Sequence, residues 1–87
     1  NPGIRREALK LMKKMPYDEE MKQTYLFVLT SDSSSGLRIE ALNALIEGSK
    51  EGNRFSAREL DLLKQNYEQA DNNYIKLKTR TILQEYN

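Results

Sequence analysis

"SSSGLRIEALNAL", residues 33–45, carries a pattern already present at the head of the chain in "NPGIRREALKLM", residues 1–12. At an offset of 33, Ile4, Arg5, Glu7, Ala8 and Leu9 meet Leu37, Arg38, Glu40, Ala41 and Leu42, and Gly3 stands over Gly36. A third, more worn copy is "NNYIKLKTRTIL", residues 72–83. At an offset of 38 it sets Ile75, Lys76, Thr79, Ile82 and Leu83 under Leu37, Arg38, Ala41, Ala44 and Leu45. Self-similarity of this size points to a repeat architecture in which each unit packs mainly on its neighbours.

Each copy reads as a helix. In the first, Ile4, Ala8, Leu11 and Met15 follow the i, i+4, i+7 spacing that shares one face, with Arg6, Lys10, Lys13 and Lys14 largely on the other. Pro16 is expected to stop it, because the residue before a proline resists helical geometry. Asp18 is a candidate N-cap for a second helix over about 19–30, whose early acids suit the positive helix terminus. "SDSSSG", residues 31–36, is the turn into the second copy.

The third helix, about 37–47, places Leu37, Ala41, Ala44 and Leu45 on one side and Ile39, Leu42 and Ile46 on the opposite side. Two apolar stripes imply neighbours on both flanks. Gly48 and the Gly52-Asn53 pair are read as the break, and "SARE", residues 56–59, as a capping box for a fourth helix ending near Ala70. The turn at residues 71–73 leads to a fifth helix over about 74–86. No segment alternates as a strand does. The expectation is therefore an all-α α-solenoid of five helices, two helical hairpins plus a final helix, in one domain over 1–87 with approximate repeats 1–33, 34–71 and 72–87.

Composition fits a single small unit. The chain has 87 residues, 38% hydrophobic and 31% charged, with Lys+Arg 14 against Asp+Glu 13. That balance describes neither a disordered tail nor a strongly basic nucleic-acid binder. Neither cysteine nor histidine is present, which removes disulfides, thiolate chemistry and the usual zinc ligands. The longest apolar runs, such as residues 25–29, are too short to span a bilayer. The opening "NPG" without an initiator Met suggests a piece excised from a longer protein, whose compartment the sequence does not name.

The strings "NPGIRREALKLM", "SSGLRIEALNAL" and "NNYIKLKTRTIL" resemble bacterial HEAT repeats, in which Asn/Asp-Pro-Gly-Val-Arg opens the first helix of a hairpin and an Ala further on permits close packing. The pattern departs from the family where only Pro2 keeps the proline, where Thr79 replaces Ala8 and Ala41, and where "EGSKEGNRFSARE" makes a long connection. The resemblance implies a HEAT-like α-solenoid whose second helices line a concave docking side. A finer resemblance, carried by the "NPGIR" turn and "DNNYIKLKTR", is to the HEAT-containing tail of zinc-finger anti-sigma-factor-like proteins, which implies a membrane-anchored parent.

That docking side would offer Lys22, Gln23, Phe27 and Thr30 from the second helix, and Arg58, Asp61, Gln65 and Glu68 from the fourth. Phe27 lies off the Met21, Tyr25, Val28, Leu29 stripe and reads either as an interface anchor or, preferentially, as a contact with the fourth helix. The column Arg5, Arg38, Lys76 could track a phosphate backbone, but accompanying Glu7 and Glu40 favour ion pairs to neighbouring loops or helices. Arg5, Arg6, Lys10, Lys13 and Lys14 form a denser basic face, which in a small protein is commonly just solvated.

No general base sits beside a nucleophile motif, and "SDSSSG" lacks the Lys and glycine spacing of a phosphate loop. The sequence thus reads as a non-catalytic protein-interaction module, with no cofactor or metal, a protein partner, and self-association through exposed fragment ends. The alternatives are a nucleic-acid-associated HEAT-like protein using the basic face, and a spacer in a longer solenoid.

Overall fold

Five polar side chains start five helices. Asn1, Asp18, Ser34, Ser56 and Asn72 each accept a hydrogen bond from a backbone N–H in the first turn that follows, at Gly3, Met21, Leu37, Glu59 and Ile75. These N–H groups have no partner inside a helix, so each cap relieves a donor that would otherwise stand alone. The resulting elements in the computed structural model, which describes residues 1–86, are α1 (Pro2–Lys13), α2 (Glu19–Ser31), α3 (Ser35–Lys50), α4 (Ala57–Gln69) and α5 (Asn73–Gln84). No strand occurs among the described residues, and the chain is all-α.

α3 is the central helix, packing on α2, α1 and α5, while α4 packs on α5. The odd helices therefore lie in the order α1, α3, α5. α2 and α4 rest against α3 and α5, and touch each other through Lys22, Gln23 and Glu59. The two apolar stripes of α3 are explained by this placement. Leu37, Ala41, Leu42 and Leu45 are all fully enclosed, and Ile39 and Ile46 pack at the edge of the same core. Burying each such leucine contributes roughly 1.5–3 kcal/mol.

α1 departs from its periodicity. Its buried residue is Leu9, with Met12 half-buried beside it, whereas Ile4, Leu11 and Met15 are 70%, 63% and 56% exposed. The helix also ends at Lys13, before Pro16 can act. The N–H groups of Lys14 and Met15 turn back to the carbonyls of Leu11 and Met12, tightening the last turn.

Gly48 does not break α3, which continues to Lys50. It is buried under the Tyr17 ring, where a Cβ would fall inside the ring's van der Waals envelope. Its role is close approach between α3 and the α1–α2 connection. The reversal comes at Gly52, whose φ of 92° lies in the left-handed region.

Candidate interaction surface

The meeting point of α2 and α4 is polar and closed. Lys22 is 3% exposed, and its Nζ lies 2.9 Å from Glu19 Oε1, 3.0 Å from Glu59 Oε1 and 3.0 Å from the Arg54 carbonyl. Phe55 offers its ring face to the same ammonium at 5.9 Å. Glu59 in turn closes the capping box of α4, accepting from the Ser56 N–H at 2.7 Å while Ser56 Oγ accepts from the Glu59 N–H at 3.2 Å. Gln23 donates its side-chain amide to the other Glu59 oxygen.

Burial would push the Glu59 carboxyl up, but the Ser56 N–H and the Lys22 ammonium outweigh it and hold the group below the usual carboxylate range. Burial would likewise lower Lys22, and its hydrogen bonds to Glu19 and Glu59 more than reverse that. Both groups are thus held charged.

This geometry corrects one sequence expectation. Lys22 is not presented on a docking side; it is a buried strut between α2 and α4, because its stem reaches inward to the α4 cap. Phe27 is equally informative in the other direction. At 70% exposure it is not the contact with α4, and it borders a shallow cleft with Arg5, Val28, Ser31, Asp32 and Ser33.

The remaining residues of the expected surface are exposed but divided. Gln23 is tied to Glu59, and the Thr30 hydroxyl donates to the Leu26 carbonyl at 2.8 Å, so it serves its own helix. Asp61 and Glu68 border a second cleft with Leu60, Lys64, Tyr67, Leu83 and Tyr86, between α4 and α5. Arg58 and Gln65 are exposed on α4 outside that cleft.

In the cation column Arg5 and Arg38 reach acids of the loops ahead of the next odd helix, whereas Lys76 turns to α4. Arg5 forks onto Asp32, Nε to Oδ2 at 2.8 Å and Nη2 to Oδ1 at 3.1 Å. Arg38 reaches Asp71 at 3.9 Å, and Lys76 lies over the Tyr67 ring at 6.0 Å. The Arg5 fork and the Ser34 N–H together hold the Asp32 carboxyl below its ordinary range. Within the basic face, Lys10 pairs with Glu7 at 3.4 Å and Lys13 with Glu40 at 3.8 Å.

A concavity of about 490 Å³ opens between the end of α1, the α1–α2 connection and α3. Met12, Met15, Met21, Tyr17 and Tyr25 give it an apolar floor, and Lys13, Glu47 and Glu51 stand at its rim. The Tyr17 ring stacks on Tyr25 at 6.2 Å, and burial raises its hydroxyl pKa. Sequence reasoning missed this cleft. Its signal was the buried-position glycine, Gly48, in a helix otherwise free to carry a side chain there.

Among the described residues no three His, Cys, Asp or Glu side chains converge to hold a metal ion, and no helix is long and apolar enough to cross a membrane. The fold and surface define an all-α protein of five helices with its odd helices in a row. Comparison with known protein families, with curated proteins and with solved structures found no match.

Proposed function

We propose that the chain is a HEAT-like α-solenoid module that binds a protein partner and carries no catalysis of its own. The observation that carries this reading is the repeated tie of Arg5 to Asp32 and Arg38 to Asp71 along the row α1, α3, α5. The Arg5 fork onto the enclosed side chain of Asp32 fastens α1 to the loop before α3, and Arg38 stands 3.9 Å from the exposed Asp71 at the equivalent place. A surface preorganised in this way spares a partner part of the ordering cost of binding. The setting that the sequence resemblance suggests is the tail of an anti-sigma-factor-like protein.

Phe27 is the anchor of the proposed surface, since an exposed aromatic on a rigid helix supplies large contact area at small entropic cost. Arg58 and Gln65, exposed on α4 outside the α4–α5 cleft, supply its polar part, and Asp61 and Glu68 flank it at that cleft. The nucleic-acid alternative loses support from the basic face itself, because Arg5, Lys10 and Lys13 are each engaged by an acid.

The test is affinity capture from the source organism's lysate with the chain and with a Phe27→Ala/Gln65→Ala variant, followed by titration of the captured protein against both purified forms. A partner held by the first and lost by the still-folded second supports the surface. Retention by both would move the reading to a structural spacer, and a steep loss of binding between low and moderate salt would move it to nucleic acid.

A further inference from the structure

The repeat register makes one surface incomplete. Residues 4, 8 and 11 of α1, with Met15 just past its end, correspond to 37, 41, 44 and 48 of α3, and the same stripe in α5 is formed by 75, 79 and 82, with Tyr86 just past its end. In α3 this stripe is covered: Leu37, Ala41 and Gly48 are buried, Gly48 lies under Tyr17, and Ala44 shares a cleft with Met21 and Tyr25. In α5 it is covered again, with Ile75, Thr79 and Ile82 buried and the Tyr86 hydroxyl accepting from the Phe55 N–H at 2.9 Å. Tyr17, Met21 and Tyr25 beside Ala44 and Gly48, and Phe55 beside Tyr86, all belong to the segment before the odd helix, in keeping with α2 packing on α3 and α4 on α5. In α1 the stripe is Ile4, Ala8, Leu11 and Met15, and all four are exposed.

From this we infer that the Ile4, Ala8, Leu11, Met15 face is a docking site for one further amphipathic helix, standing to α1 as α2 stands to α3. The occupant's chemistry follows from the two covers already in the structure. It carries an apolar stripe of the Tyr25, Leu26, Leu29 kind to meet the stripe on α1. Its first turn is acidic, as in α2 with Glu19 and Glu20, because an antiparallel helix sets that turn beside Lys14, which pairs with no acid among the described residues, and beside Lys10 and Lys13, whose own pairs at 3.4 and 3.8 Å are long and solvent-exposed enough to be shared. The site deepens the interaction-module reading and rests on its repeat register, but it uses a different face from Phe27 and α4.

The probe is a fluorescein-labelled peptide of residues 17–34 of this chain, stapled between the exposed positions 23 and 27 so that it enters as a helix. Its binding to the intact chain is read by fluorescence anisotropy. Saturable binding is expected, weakened at least ~10-fold by Leu11→Glu, which buries a carboxylate against the peptide yet touches no core contact of the free chain. Replacing Glu19 and Glu20 of the peptide by Lys should weaken it further, and the Phe27→Ala/Gln65→Ala variant should bind as the original does, which separates this site from the surface proposed above. Absence of binding up to about 1 mM peptide overturns the inference, as does binding indifferent to Leu11→Glu. Self-association abolished by Leu11→Glu without peptide binding would assign the face to a second copy. Adsorption to phosphatidylserine vesicles abolished in the same way would assign it to a lipid surface, and either result overturns the helix occupant.

Discussion

Lys22 and Glu59 form a buried ion pair between α2 and α4, Nζ to Oε1 at 3.0 Å, with side chains 3% and 8% exposed. Two charges removed from water are tolerable only because each has further partners: Glu19 and the Arg54 carbonyl for the ammonium, Ser56 and Gln23 for the carboxylate. Breaking one side should therefore cost more than replacing both. Lys22→Met is expected to lower stability by about 2–3 kcal/mol in urea unfolding, and addition of Glu59→Gln to restore part of that. A single variant as stable as the original would show the pair to be incidental.

Acid should act through Asp32 and Glu59. Both carboxyls are held below their ordinary range in the folded chain, so their stabilisation is complete above the unfolded-state pKa near 4 and is lost as pH falls through the lower folded value. Lys22 is raised, so its contribution is intact below the unfolded lysine pKa and is lost only as strongly alkaline pH passes the folded one. Unfolding midpoints should be flat between about pH 5 and 9 and drop on the acid side. Asp32→Asn, which removes a fork to the partly exposed Arg5, should cost about 1 kcal/mol at neutral pH and make the acid limb shallower.

Two glycines of α3 should respond oppositely to alanine. At Gly36 the nearest atom to an added Cβ is the flexible Arg6 guanidinium at 3.4 Å, so the gain in helix propensity of up to about 1 kcal/mol should show. At Gly48 the Tyr17 ring stands in the way and is itself stacked on Tyr25. Gly48→Ala should destabilise by about 1–2 kcal/mol and shift the near-ultraviolet circular dichroism of the tyrosines. Equal melting temperatures for the two variants would contradict the packing described.

Phe27→Ala removes a side chain that the fold leaves in solvent. Its effect on thermal unfolding should stay within about 0.5 kcal/mol, since nothing in the core rests on it. A larger loss would show that Phe27 serves the fold rather than a partner.

Much of the fold was legible in local chemistry. Asp18 and the Ser56-to-Glu59 box marked the starts of α2 and α4 because a cap is a contact between residues two or three apart. The double stripe of α3 announced a helix with neighbours on both sides, and α3 is the helix that touches α1, α2 and α5. Gly48 misled for a local reason: glycine commonly ends helices, and nothing near it in the chain reveals the Tyr17 ring thirty-one positions upstream.

The candidate surface was less legible, since exposure is decided by what lies across a helix and not along it. Lys22 and Phe27 both look like surface residues of α2, yet one is drawn inward by Glu59 of α4 and the other is left 70% exposed. The α1 stripe shows the same division: its periodicity makes Ile4, Ala8, Leu11 and Met15 share a face, but only the positions of α2 and α3 determine that all four stay exposed, with Met15 alone bordering the cleft toward Met21 of α2. The sequence by itself determined where helices begin, which residues share a side and that one unit recurs, because these depend on dihedral preference and a fixed rise per residue. Tertiary structure decided which of those sides is buried, which charges are paired and which apolar stripe stays open, because burial and Coulomb energy depend on distances between residues far apart in the chain.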